Sequence, residues 1–391
     1  MNNKAESSRP SGIYLDTNAT TRPFPEVVET LAHHFYHSYA NPGSRHAEGR
    51  RARQTLETAR EQIAEILGAN PNEVIFTSGG TEATNMAIFG LAASAPGTIA
   101  LTAGEHPATI ESCKALQTKG WKLHILDVDP DGRLITKHFT TLPWDDIKLV
   151  TVILAHNETG VTQDLQPLSN FCRKHAVPFH ADAVQAVGKI PVNFHELGVS
   201  SLSLGAHKFH GPRGIGALLL RDGLQLTPIQ FGGHQEFERR PGTEMVALAA
   251  GMARALQLFH ARVNQWTHKL TELRDRLENG LLHECSPVVV NGSRQYRLPN
   301  TLNIAFPGLD GEALLVALDL DGVACSLGST CASGSAEPAP VLVAMDRPEE
   351  VYSSSVRFSV SIENSLQEID QAVVRIAGVV KHQRQLAEVM V

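Results

Sequence analysis

Residues 74–85 have the sequence VIFTSGGTEATN. The run 74–77 predicts a buried strand, the two glycines predict a tight turn, and Thr81 begins a helical pattern. Gly79 and Gly80 let the backbone approach a ligand closely, and the first turn of a helix offers unpaired N–H groups to an anion. A plain helix start without a ligand fits the same residues. The segment is not a Walker loop, because no Gly-Lys-Ser/Thr sequence follows it.

Short apolar runs alternate with helical patterns in the residues that follow. Strand-like runs lie at 74–77, 99–102, 123–126, 149–154, 178–181, 200–204 and 216–220, and helix-like segments lie at 81–92, 108–119 and 165–175. Strands that are apolar on both faces and joined by helices are typical of an α/β domain with a mostly parallel sheet.

The rest of the sequence predicts a smaller α/β domain. A helical pattern from Met245 to about His283 predicts one long helix that joins the two domains. Strand runs follow at 302–305 and 356–360, before a terminal helix over about 366–390. We therefore predict residues 1–22 as a segment that packs with the small domain, residues 23–260 as a large domain, and residues 261–391 as the small C-terminal domain.

Composition excludes several classes of protein. The 391 residues are 42% hydrophobic and 19% charged, with a net charge of −7, so we expect neither a nucleic-acid partner nor a membrane partner. No apolar run reaches the length of a membrane span, and residues 1–12 lack the apolar region of a signal peptide. Five scattered cysteines indicate a reducing cytoplasm, and the 18 histidines lack the spacing of metal ligands.

Several polar side chains are predicted at one edge of the large sheet. Ligands of open parallel sheets bind beyond the carboxyl ends of the strands. Each residue on its own also fits an ordinary role, such as a helix cap or a turn residue, and their shared position is what predicts a site. The residues are Thr81, His106, Asn157, Asp182, Gln185 and Lys208.

Lys208 and Asp182 together indicate a cofactor. A lysine on a tight turn after a short apolar run, with an aspartate on the preceding strand, suits the attachment of pyridoxal phosphate (PLP). The lysine amine must be free to attack the aldehyde of PLP, and the aspartate must keep the pyridine nitrogen protonated.

Two further residues lie near the C-terminus. Cys331 lies in a stretch of serine, glycine and alanine, where a thiol is either a functional nucleophile or an incidental surface group. Cys325 is predicted to be a buried thiol. Arg357 lies on a strand bounded by serines, and it either binds a substrate carboxylate through its two N–H groups or forms a surface ion pair.

With these residues, the chain resembles the cysteine desulfurases of the NifS/IscS type, in the class V aminotransferase family. The motifs that carry the resemblance are 14–21, 77–82, 207–208, 239–244 and the loop around Cys331. The resemblance implies the PLP-dependent transferase fold of type I and conversion of L-cysteine to L-alanine. It also implies a homodimer, a persulfide on Cys331, and delivery of the sulfur to an acceptor or to an iron–sulfur scaffold protein.

The resemblance implies a role for each matching residue. Lys208 would bind PLP covalently, Asp182 would face the pyridine nitrogen, Gln185 would face the ring hydroxyl, and His106 would stack on the ring and move protons. The phosphate would be held by Gly80, Thr81, His207 and, from the other subunit, Thr243. Asn157 would contact cofactor and substrate, Arg357 the substrate carboxylate, and Cys331 would take the sulfur.

One position departs from the family and some alternatives stay open. Gly205 stands where the family usually has a serine whose hydroxyl binds the phosphate. A selenocysteine lyase or an aminotransferase would share the fold, and a sulfur-relay or scaffold protein without cofactor is a third interpretation. Cys331 argues against an aminotransferase, and the presence of Lys208, Asp182 and His106 argues against a protein without cofactor. No residue excludes a selenocysteine lyase.

Overall fold

The computed structural model describes residues 12–92, 95–327 and 339–389. The strands β1–β13 are Ile13–Tyr14, Val74–Thr77, Thr98–Thr102, Lys122–Leu126, Ile147–Ile153, Phe179–Asp182, Ser201–Gly205, Gly216–Leu220, Val289–Val290, Thr301–Ala305, Val323–Ala324, Ser326–Leu327 and Ser355–Ser359. The helices α1–α12 are Pro25–His37, Ala47–Leu67, Gly80–Leu91, Pro107–Gln117, Gln166–Lys174, Phe194–Leu197, Val246–His260, Val263–Glu284, Gly311–Leu320, Pro340–Ala344, Glu349–Tyr352 and Leu366–Val389.

A seven-stranded sheet with the order β2-β8-β7-β6-β5-β3-β4 forms the centre of the larger part. Only β8 runs antiparallel to its neighbours β2 and β7, and the other pairings are parallel. Every residue of β6 and of β7 is buried, including polar ones such as His180 and Ser203, as expected for strands covered on both faces. The predicted α/β class with a mostly parallel sheet is confirmed.

The C-terminal part has its own sheet and its own hydrophobic cluster. Strands β12, β13, β10 and β9 form an antiparallel sheet, and α8, α9 and α12 contribute apolar residues to the cluster beside it. The N-terminal segment lies against this part, since Ile13 pairs with Val323 and Asp16 bridges to Ser359. The division into residues 1–22, 23–260 and 261–391 stays a prediction.

The long helix predicted from Met245 to about His283 is wrong, because two helices occupy that stretch. The chain breaks between α7 and α8 at Ala261 and Arg262, where Arg262 has non-helical backbone angles (φ −130°, ψ 16°). Helix α7 packs into the large cluster and α8 packs into the C-terminal cluster. The two helices serve different cores, and neither glycine nor proline marks the break in the sequence.

A buried ion pair connects α2 to the loop that follows β8. Arg60 Nη1 and Nη2 bind the two carboxylate oxygens of Glu236 at 2.8 and 2.7 Å, and each side chain is at most 3% exposed. Glu236 also accepts the N–H of Phe76 on β2 at 2.8 Å. The three residues from Glu236 to Glu238 have φ values of 46°, 58° and 66°, which non-glycine residues rarely adopt. The pair therefore holds a strained turn next to the strand that precedes the glycine-rich turn.

We predict that Arg60→Met destabilises the protein strongly. The variant leaves the Glu236 carboxylate buried without its partner, and breaking a buried pair in this way costs about 3–5 kcal/mol of unfolding free energy. Urea denaturation followed by circular dichroism measures the loss. Arg276→Met is the control, because Arg276 pairs with Asp370 at the surface, where ion pairs contribute little. Equal stability of the two variants would contradict the importance of the buried pair.

Candidate functional site

A cavity of about 320 Å³ lies where the carboxyl ends of β5, β6 and β7 face β13. The structure brings most of the predicted site residues to its wall, in agreement with the rule that ligands bind beyond the ends of parallel strands. The predicted residues that line it are Gly80, Thr81, His106, Asn157, Asp182, Gln185, His207, Lys208 and Arg357.

One predicted residue in the described part of the chain lies away from this cavity. Thr243 is exposed and lines a separate cavity of about 310 Å³, together with Phe35 and Tyr39. Cys331 lies outside the described residues. The predicted roles of both residues stay predictions.

Lys208 is held on a short 3₁₀ turn directly after β7. Its Nζ donates to the main-chain oxygens of Asn18 at 2.6 Å and Ala19 at 2.9 Å. Burial, followed by the positive charge of Arg357, lowers the pKa of Lys208 to about 8. A larger fraction of this amine is therefore neutral at physiological pH than for an ordinary lysine.

Asp182 and His106 form an acidic and a basic group on the same wall. Asp182 is 3% exposed at the end of β6 and accepts the N–H of Val184 at 2.9 Å. Burial raises the pKa of Asp182, while His106 and Lys208 act against that rise. His106 Nδ1 accepts the N–H of Ala108 at 3.1 Å, so the neutral ring carries its proton on Nε2. Burial lowers the pKa of His106, which favours this neutral form.

The glycine-rich turn forms a cradle at the start of α3. The helix begins at Gly80, one residue before the predicted start, and its N-cap Gly79 provides no side chain. A Cβ at Gly80 would lie 2.5 Å from Cγ2 of Val184, so only glycine fits there. Glu82 stabilises the turn, because it accepts the N–H of Ser78 at 2.5 Å and pairs with Arg240 at 2.9 Å.

Gly205 lies directly against this cradle. A Cβ at Gly205 would lie 3.3 Å from the main-chain nitrogen of Gly80. Its backbone is extended (φ −136°, ψ 124°), so a serine could adopt the conformation, but its Cβ would crowd the first N–H of α3. Glycine at position 205 therefore leaves more room in front of that N–H than a serine would.

Arg357 is buried between two carboxylates, so its interpretation as a surface ion pair is wrong. Its guanidinium binds Asp16 and Glu158 at 2.8 Å each, and its side chain is 7% exposed. Burial alone would lower the pKa of Arg357, but the two carboxylates keep it above its usual value. Burial raises the pKa of Glu158, and Arg357 acts against this. Among the described residues Nε of Arg357 has no partner.

Three residues of the site were missed in the sequence. Asn18 lines the cavity, and its main-chain oxygen accepts hydrogen bonds from both Lys208 and Gln185. Asp16 and Glu158 support Arg357 from two distant parts of the chain. Asp16 and Asn18 lie within the motif 14–21, and Glu158 directly follows Asn157, so their positions beside predicted residues were the only available signal.

The cysteines in the described ranges are poor nucleophiles. Burial raises the thiol pKa to about 12 in Cys113, Cys172 and Cys325 and to about 11 in Cys285. Cys325 is partly rather than fully buried. Because a thiolate is the reactive form, none of these four groups is suited to attack a substrate near neutral pH.

Within residues 12–92, 95–327 and 339–389, no group of three or more His, Cys, Asp or Glu side chains is arranged to hold a metal ion. No helix in these ranges has the length and apolar character that crossing a membrane requires.

Comparison with known proteins identifies the family. Residues 13–372 match the aminotransferase class-V family. The chain belongs to this family. A cysteine desulfurase from Enterobacter agglomerans is 42% identical over 378 residues, which cover 96% of this chain and 94% of the relative.

Solved structures agree with the assignment to the class-V family. A NifS-like protein from Rickettsia africae has a TM-score of 0.86 and 31% identity, over 95% of this chain and 99% of its own. SspA, solved in complex with cysteine, has a TM-score of 0.78 and 30% identity, over 89% of this chain and 98% of its own. The resemblance and the predicted fold of type I are therefore confirmed.

The lowered pKa of Lys208 predicts unusual amine reactivity. In the protein without cofactor, labelling of Lys208 by an amine-specific reagent should rise with a midpoint near pH 8. An ordinary lysine has a pKa of about 10.4, so N-acetyl-lysine amide in the same tube should reach its midpoint about two units higher. Mass spectrometry of the labelled Lys208 peptide and of the labelled N-acetyl-lysine amide gives the two curves. A Lys208 midpoint near pH 10 would contradict the proposed effect of burial.

Proposed function

We propose that this protein is a PLP-dependent cysteine desulfurase that converts L-cysteine to L-alanine and leaves the sulfur on Cys331 as a persulfide. One observation carries the proposal: a lysine with a lowered pKa, a buried aspartate and a neutral histidine share one cavity with a buried arginine. The names of the relatives support the same activity, and SspA supports cysteine as the substrate.

The residues around the cavity fit PLP. A helix start with glycines at Gly79 and Gly80 suits a phosphate, and a buried carboxylate at Asp182 suits a protonated ring nitrogen. Lys208 would hold the cofactor through its amine, Gln185 would face the ring hydroxyl, and Thr81 and His207 would assist at the phosphate. When bound, PLP supplies an electron sink that weakens the bonds at the α-carbon of an amino acid.

Lys208 and His106 would transfer protons in this cavity. Because the pKa of Lys208 is about 8, its Nζ can both gain and lose a proton near neutral pH. The Nε2 proton of His106 is free for the cavity, because Nδ1 is engaged by the N–H of Ala108. Asp182 would act as a hydrogen-bond acceptor, since the positive charge of Lys208 favours its ionised form.

Arg357 would orient the substrate by its carboxylate. Its two Nη groups already bind Asp16 and Glu158, so a substrate carboxylate would join or replace one of these groups. Glu158 is the group more easily displaced, because burial favours its neutral form. Asn157 lies beside it, with its Nδ2 donating to Glu158 at 2.7 Å, and would contact cofactor and substrate together.

Cys331 is the proposed sulfur acceptor. The four cysteines in the described part of the chain have thiols of high pKa, which leaves Cys331 as the candidate. Ser326 is the register partner of Arg357, so β12, the last described strand before Cys331, lies beside the cavity. Cys331 is four positions after Leu327, so at most about 14 Å of extended chain joins the two residues.

The proposal includes a homodimer. Thr243 is exposed and lines a cavity with Phe35 and Tyr39, which belong to a set of exposed aromatic rings, and hydrophobic surface of this kind favours contact with another protein surface. The rings belong to Phe35, Tyr36, Tyr39 and Phe231, which are between 58% and 90% exposed. A second copy that covers this face would bring its Thr243 to the phosphate cradle of the first. We also propose a cytoplasmic location and a sulfur acceptor or iron–sulfur scaffold protein as partner, supported by the cysteine content and by the family.

Cys331→Ser should separate cofactor chemistry from sulfur transfer. An alcohol is barely ionised at neutral pH, so sulfide release from cysteine should fall by on the order of 100-fold or more. The visible absorbance of bound PLP and its change on addition of cysteine should remain. Cys325→Ser is the matched control and should keep nearly the wild-type rate, because its thiol pKa is about 12. Wild-type sulfide release by Cys331→Ser would place the nucleophile elsewhere.

Mixing two defective variants should restore active sites if subunits share them. Lys208→Ala removes the lysine that holds PLP, and Thr243→Asp puts a negative charge against the partner's phosphate. A hybrid dimer has one site with both wild-type residues, so random mixing should recover about one quarter of the wild-type sites. Spectroscopic titration with PLP and sulfide release measure the recovery. Activity that does not exceed the sum of the separate variants would contradict shared sites.

A further inference from the structure

Lys189 is a second buried lysine behind the cavity. The residue is 4% exposed and follows the turn after β6. Its Nζ donates to Oδ1 of Asn18 at 2.7 Å and, in a short hydrogen bond, to Oε1 of Gln185. Both acceptors belong to residues that line the cavity, although Lys189 does not line it.

The surroundings of Lys189 contain positive charges and amide oxygens. Within the described residues no carboxylate forms an ion pair with it. Burial, followed by the charges of Lys208 and Arg357, lowers the pKa of Lys189 well below its usual value. The imidazoles of His207 and His210 also lie within electrostatic range of it. Whether charged or neutral, an amine keeps N–H groups, so Lys189 is a hydrogen-bond donor in both states.

A donor at this position determines how two side-chain amides are oriented. An amide of Asn or Gln has an oxygen that accepts and a nitrogen that donates, and its environment selects between the two orientations. Nζ of Lys189 donates to Oε1 of Gln185, and Nε2 of Gln185 donates to the main-chain oxygen of Asn18 at 2.9 Å. Nζ of Lys189 and Nδ2 of Asn300 both donate to the side-chain oxygen of Asn18, and Nδ2 of Asn18 donates to the main-chain oxygen of Asn157 at 3.1 Å.

We propose that Lys189 is a positioning residue, which holds the amides of Gln185 and Asn18 so that Gln185 presents its remaining N–H, and not its oxygen, to the cavity. This inference rests on the proposed function, in which Gln185 faces the ring hydroxyl of PLP. A fixed N–H donor stabilises negative charge on that ring oxygen and so lowers its affinity for a proton. Lys189 thereby influences the ionisation of the cofactor without contacting it.

Lys189→Met tests the proposal in the PLP-loaded enzyme. Methionine keeps a flexible chain of similar length but has no N–H group, so Oε1 of Gln185 loses its donor. We expect the pH midpoint of the visible PLP absorbance to rise by at least about half a unit, and the dissociation constant of PLP to rise about fivefold or more. Lys269→Met is the matched control. Its Nζ donates to the main-chain oxygen of Ile362 at 2.6 Å, away from the cavity, and neither quantity should change.

Measuring Lys189→Met in a Gln185→Ala protein distinguishes positioning of the Gln185 amide from a long-range effect of the Lys189 charge. In Gln185→Ala the amide is absent, so adding Lys189→Met should shift the midpoint by less than half as much as in the wild type. An equal shift in both backgrounds would overturn the proposal, because Lys189 would then act through its charge alone. A folded Lys189→Met with the wild-type midpoint and dissociation constant would also overturn it.

A Lys189→Met variant that does not fold and a wild-type protein that binds no PLP have different consequences. If Lys189→Met does not fold, as judged by its melting curve, Lys189→Leu replaces it, because leucine likewise has no N–H group in its side chain and the same two shifts are expected. A wild-type midpoint in folded Lys189→Leu together with an unchanged PLP dissociation constant would overturn the proposal. If the wild-type protein itself binds no PLP at Lys208, the proposed function fails, and this is visible before any variant of Lys189 is measured.

Discussion

The main-chain oxygen of Asn18 is the contact on which the candidate site depends. It accepts Nζ of Lys208 at 2.6 Å and Nε2 of Gln185 at 2.9 Å. The side chain of Asn18 binds Thr301 of the small sheet and Nζ of Lys189. One residue near the N-terminus therefore joins the lysine of the large sheet to the smaller part of the chain. A change in this segment would alter the position of the amine that the proposed chemistry uses.

Burial of ionisable groups determines the chemical character of the cavity. Desolvation favours the neutral forms of Lys208, His106 and Glu158, while close opposite charges keep Arg357 ionised. Raised and lowered pKa values therefore occur in neighbouring groups, as is common where residues bind charged ligands or transfer protons. The fold supports this arrangement because the polar groups lie at strand ends, where the main chain supplies many of their hydrogen-bond partners.

The loop after β8 links the stability of the protein to its proposed assembly. Arg60 and Glu236 hold a turn with three left-handed residues, and Arg240 further along the loop pairs with Glu82 at the start of α3. Thr243 follows three residues later and is exposed in the single chain. The buried pair thus offsets backbone strain in a loop that contacts the cradle of its own subunit and, in the proposed dimer, supplies a residue to the cradle of the other.

Much of the fold and of the candidate site could be predicted from the sequence. The alternation of apolar runs and helical patterns indicated the parallel sheet, and residues such as His106, Asp182 and Lys208 were predicted together because the carboxyl ends of parallel strands meet at one edge. These signals are local, since each depends on a few neighbouring residues. The sequence also specified its family through short motifs whose residue types suit PLP chemistry.

Other features were decided only by the tertiary structure. The break between α7 and α8 arises because the two helices pack into different cores, which a continuous helical pattern does not reveal. The burial of Arg357 between Asp16 and Glu158, and of Lys189 against Asn18 and Gln185, brings together residues far apart in the chain. Shifts of pKa depend on desolvation and on charges contributed by several elements at once. A motif can therefore identify which groups take part, but only packing determines their protonation and the orientation of the amides around them.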